Sequence, residues 1–139
     1  LVLLAPTGAP RRHRLLRQAA GFVADIPLED WRLVPVVAQA YLRAGPLRVW
    51  RTWRQGTAHD PLPLVPSVRA PSLVVVGRRD PVVARDFAEA LARGLPGEGR
   101  VAWIEGAAHA AHFGRPDAFN GAVLDFVAGL PPADAHFPG

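Results

Sequence analysis

The chain has 139 residues, half of them hydrophobic, which suits one domain burying about 68% of its unfolded surface. It contains neither cysteine nor methionine, which excludes disulfides and thiolate zinc sites, and no apolar run approaches the roughly 20 residues that a membrane span requires. The net charge of +4 rests on 16 basic residues, all arginine; ten lie in residues 9–69 against four acids, whereas residues 70–139 hold six against eight acids.

A GC-rich coding sequence would by itself favour arginine, alanine and proline, so the overall basicity is a poor argument for a nucleic-acid partner. The lack of cysteine is compatible with a reducing compartment, with cytoplasm the default location. Leu1 opens the chain inside an apolar run, and the reading predicts a piece of a longer chain.

Leu1 to Ala5 reads as a buried strand closed by the turn residues Pro6, Gly8 and Pro10. A helix follows, with Leu15, Ala19, Phe22 and Val23 on its apolar face and Arg11, Arg14 and Arg17 elsewhere, and Pro27 ends it. Trp31, Val34, Val37, Ala38, Tyr41 and Leu42 recur at helical spacing, with Pro35 marking either a kink or the true start of that helix. Pro46 opens a third helix in which Leu47, Trp50 and Trp53 share one stripe and Arg48, Arg51 and Arg54 the next. Four prolines between Asp60 and Pro71 predict an irregular connector.

A strand is expected at Ser72 to Val76. A helix burying Ala84, Phe87, Ala88, Leu91, Ala92 and Leu95 follows and stops at Pro96 and Gly97. Val101 to Ile104 reads as the next strand, GAAHAAHFGRP as a loop, and Pro116 as the start of a last helix with Phe119, Val123, Phe126 and Val127 inward. The alternation of strand and helix predicts an α/β fold with parallel strands covered on both faces. The last residues, 131–139, read as a tail that frays.

The chemistry collects at the strand ends, where ligands sit in open parallel sheets. Asp80 and His109 both fall just past such ends, and a carboxylate there can orient an imidazole and stabilise its protonated form. Two plainer readings stand beside this. Asp80 followed by Pro81 is also a helix N-cap opening a Val83 to Leu95 helix, and a loop histidine is often only solvated.

Other signals are weaker. His109 and His112 form H-A-A-H, but no third ligand is evident nearby. The stretch RVWRTWR, Arg48 to Arg54, interleaves cations with aromatics and could touch anionic lipid or single-stranded nucleic acid; burial of Trp50 and Trp53 under a cap is the alternative.

The run VRAPSLVVVGRRDPVV resembles the penultimate strand of α/β-hydrolases, where A-P-x-L-x-x-x-G-x-x-D carries the acid of a catalytic triad. GAAHAAHFGRPDAFNGAVLDFV is similar to their last loop and helix, with His109 at the position of the catalytic histidine and Pro116 seven residues later. LVLLAPTGAP resembles the strand that enters the cap. The resemblance implies the C-terminal portion of an α/β-hydrolase fold: three parallel strands with flanking helices, an inserted helical cap and connector over 9–69, and a C-terminal core over 70–130.

It further implies that Asp80 and His109 are the acid and base of a triad whose nucleophile lies before Leu1, because neither Ser67 nor Ser72 stands in a G-x-S-x-G turn. A small-molecule ester or related bond is the expected substrate, with esterase, carbon-carbon hydrolase, dehalogenase, epoxide hydrolase and haloperoxidase chemistries all open. No cofactor is implied. Trp50, Trp53, Tyr41, Val82 and Phe113 are expected to line the substrate pocket, and a basic cap would favour an anionic substrate unless its arginines are only solvated. The rival readings are a non-catalytic relative using its cap for interaction, and a basic binding module.

Overall fold

The computed structural model describes residues 1–6, 14–96 and 100–131. Three strands form one parallel sheet in the order β1 (Val2–Leu4), β2 (Leu73–Gly77), β3 (Arg100–Ile104). Leu73 sits between Val2 and Arg100, and Gly77 pairs with Ile104 at the other end. The helices are α1 (Arg14–Asp25), α2 (Leu33–Ala44), α3 (Pro46–Ala58), α4 (Arg85–Gly94), a single turn α5 (Ala111–Gly114) and α6 (Pro116–Ala128).

All five β2 residues are buried, because helices cover both faces of the central strand. Alternation splits its side chains. Val74 and Val76 join Phe87, Ala88, Leu91, Ala92 and Leu95 in a cluster beneath α4, while Leu73 and Val75 pack with Ile104, Ala107 and Ala111 against Phe119, Val123 and Phe126 of α6. The expected double coverage is thus present. Among the described residues, no helix is long and apolar enough to cross a membrane.

Several local expectations need correction. The connector is not wholly irregular: Leu62–Ser67 forms a 3-10 segment that seats Val65 in the α4 cluster, a conformation its prolines tolerate without the α-helical hydrogen bond. Part of the predicted GAAHAAHFGRP loop is the helical turn α5. Pro35 lies in the first turn of α2, where no intrahelical donor is lost. Val127 is exposed rather than inward. On α1 the buried side is Gln18, Gly21 and Asp25, while Phe22 and Val23 are exposed. Gly8, Pro10, Arg11, His13, Gly97, the tail from Pro132 with His136, and the side chains of Arg14 and Leu15 lie outside what is described.

One close approach fixes how the ends of β2 and β3 meet. A Cβ on Gly77 would stand 2.0 Å from the Ala108 carbonyl oxygen and 2.6 Å from that of Ala107. Only a residue without a side chain lets the loop after β3 cross the end of β2 here. Gly77→Ala should therefore destabilise the protein by at least about 1–3 kcal/mol, as a methyl group forced against backbone must displace it. Urea unfolding checks this, and an unchanged midpoint would contradict the packing described.

Candidate active site

The turn after β2 is built from backbone. Arg78 N–H donates to the Ile104 carbonyl at 3.0 Å and Arg79 N–H to that of Ala107 at 2.9 Å, which carries the β2–β3 pairing past the strands themselves. Asp80 N–H closes the turn on the Gly77 carbonyl at 3.1 Å. The loop carrying His109 is thereby held beside the turn carrying Asp80.

Asp80 uses its two oxygens separately. Oδ1 accepts the backbone N–H groups of Val82 at 2.7 Å and Val83 at 3.0 Å. Oδ2 faces His109 Nδ1 at 2.9 Å. Since a carboxylate can only accept, Nδ1 carries the proton and Nε2 of the neutral ring is left as a base. The Asp80 side chain is wholly buried, and the His109 side chain keeps 25% of its surface exposed. The capping reading of Asp80 needs correction in place, because α4 starts at Arg85 with Ala84 as its N-cap. Asp80 instead closes a side-chain turn over Pro81–Val83, and that turn fixes the carboxylate which meets His109.

Burial is the largest influence on the His109 imidazole and pushes its pKa down. The hydrogen bond and charge of Asp80, followed by the charges of Asp25 and Glu29, outweigh it and leave the group above its ordinary value of 6.5. The pair therefore favours the imidazolium, as a base that accepts a proton during a reaction requires.

The helical segment before residue 45 also reaches the pair. The Phe22 ring meets the His109 ring edge to face, centroids 5.4 Å apart. Asp25 Oδ1 accepts the His109 backbone N–H at 3.1 Å, and Glu29 Oε1 accepts that of Ala110 at 2.5 Å. Sequence reasoning missed both acids. They stand more than 80 residues from the amides they bind, and nothing in D-I-P-L-E marks such contacts.

Of the expected pocket residues, Val82 touches the pair through its backbone, and Phe113 lies four residues after His109. Val82 is half-buried and donates its N–H to Asp80, and Phe113 is half-buried with its N–H on the Ala110 carbonyl. Trp50 and Trp53 lie against each other, centroids 5.4 Å apart, and Trp50 shares a surface depression with Arg51, Arg54 and Gln55. Trp50 and Tyr41 are exposed. Among the described residues, no hydrogen bond, ion pair or ring contact joins these three side chains to His109, and no group of three or more histidines and acids is arranged to hold a metal ion. His112 is exposed with its ring 6.2 Å from that of Phe119. The hydroxyls of Ser67 and Ser72 donate to the Leu64 and Ala70 carbonyls within their own turns.

No protein-family model matches the sequence, and no curated protein is detectably similar to it. Solved structures match the fold. MGS-M2, an alpha/beta hydrolase enzyme from a Medee basin deep-sea metagenome library, aligns over 94% of this chain and 56% of its own, with a TM-score of 0.61 and 15% identity. A thermophilic esterase from Thermogutta terrifontis aligns over 92% and 55%, with a TM-score of 0.54 and 19% identity. MenH from S. aureus aligns over 92% and 58%, with a TM-score of 0.51 and 17% identity. The chain spans little more than half the length of these structures.

A titration tests the electrostatics. His109 should lose its proton above pH 6.5, and Asp80→Asn should lower its pKa, since the hydrogen bond and charge that most oppose burial are then gone. NMR of the imidazole Cε1–H measures both. The raised pKa also carries a stability signature: the stabilisation is complete below the unfolded-state value and is lost as pH rises through the folded-state one. An unshifted titration in Asp80→Asn would contradict the pairing.

Proposed function

We propose that this chain, which has part of the α/β-hydrolase fold, supplies the acid and the base of a serine-type hydrolase acting on a small-molecule ester or related bond. The observation that carries the reading is the 2.9 Å contact between His109 Nδ1 and a wholly buried Asp80 carboxylate that two backbone N–H groups already hold in place.

Asp80 keeps the proton on Nδ1, so Nε2 is the nitrogen that takes a proton from an attacking hydroxyl. The imidazolium that forms is stabilised by the adjacent carboxylate and then returns the proton to the leaving group. The nucleophile is assigned to a part of the protein outside residues 1–139, because the only two serines here are engaged in their own turns and cysteine is absent. The 139-residue chain alone is therefore inactive. The charges acting on His109 belong to Asp80, Asp25 and Glu29, which argues for a neutral rather than an anionic group beside the base.

A second reading, a non-catalytic relative that uses its cap for interaction, draws on Trp31 and Leu42, exposed at 75% and 83%. The intact protein's hydrolysis of p-nitrophenyl acetate and butyrate separates the two. The hydrolase reading expects activity that falls about 10³–10⁴-fold in both His109→Ala and Asp80→Asn. Hydrolysis undiminished in His109→Ala overturns it, and no hydrolysis of either ester favours the second reading.

A further inference from the structure

Beyond the Asp80–His109 pair, α1 and the residues just after it touch the site at four points. Gly21 lies against the Asp80 turn so closely that a Cβ would stand 2.8 Å from the Pro81 carbonyl oxygen and 3.1 Å from Val82 Cα. Phe22 meets the His109 ring, Asp25 holds the His109 N–H, and Glu29 holds the Ala110 N–H. Two consecutive amides of one loop are thus gripped by two carboxylates from a distant segment. We infer that Asp25 and Glu29 are positioning residues that lock the His109 loop onto α1 and so set the imidazole against Asp80.

Their chemistry exceeds what docking a loop requires. Asp25 is only 7% exposed, and burial raises its pKa, so the fold keeps a carboxylate where an amide oxygen would accept the same N–H more cheaply. The negative charge supplies what a neutral acceptor lacks. Together with Glu29 it acts on His109 in the same sense as Asp80, favouring the protonated ring. Geometry and charge therefore work on the same group by two routes. That this serves a reaction rests on the proposed hydrolase reading, whereas the grip on the loop does not.

The test uses the intact protein with Asp25→Asn, Asp25→Ala, Glu29→Gln and Glu29→Ala, read first without substrate. The alanine variants should speed amide exchange at His109 or Ala110 about tenfold or more, while Asn and Gln keep the amides protected but still lower the His109 pKa. Where esters are hydrolysed, the alanine variants should lower kcat with KM unchanged, and Asn and Gln should restore most of it. Amide exchange unchanged in folded alanine variants overturns the inference, as does a His109 titration unmoved by Asn and Gln. If an alanine variant does not fold, the Asn and Gln titrations decide. Because both first readouts precede any turnover, an inactive protein would count against the hydrolase reading and not against the grip.

Discussion

The site depends on backbone passing backbone at Gly77. There the loop that follows β3 crosses the end of β2 with no room for a side chain, and the hydrogen bonds from Arg78 and Arg79 to Ile104 and Ala107 hold it in that position. Two strand ends that would otherwise carry unrelated loops are joined into one rigid edge. On that edge Asp80 and His109 face each other without relying on long, flexible side chains. The buried valines of β2 anchor the strand whose end sets this geometry.

Asp80 resolves what looked like competing roles. One oxygen satisfies the turn that precedes α4, and the other meets the imidazole. Three donors share the two oxygens, so the carboxylate that meets His109 is positioned by the same contacts that shape the chain around it.

The core was legible in the sequence because periodicity and burial agree there. The unbroken apolar run of β2 and the stripe from Phe87 to Leu95 fall where expected, and Asp80 and His109, both read as lying past strand ends, stand 2.9 Å apart. The buried side of α1 was not, for a physical reason. Periodicity shows which residues share a helix face and says nothing about which face is covered. Among the described residues of α1 the buried ones are Gln18, Gly21 and Asp25, of which Gly21 packs on the backbone of the Asp80 turn and Asp25 accepts the His109 amide. Trp50 and Tyr41 are large and apolar, and a reading that equates apolar with inward buries them, whereas both are exposed. Asp25 and Glu29 escaped notice because their partners are main-chain groups, which carry no sequence signature.

The central claim, that His109 is a general base for a nucleophile elsewhere in the protein, is tested most directly by active-site labelling. The intact protein is treated with a fluorophosphonate, and the adduct is followed by mass spectrometry with and without His109→Ala. One stoichiometric adduct on a serine outside residues 1–139, formed about 10³-fold more slowly or not at all without His109, is the predicted result. Labelling at the same rate in His109→Ala, or none in the unaltered protein, would contradict the account.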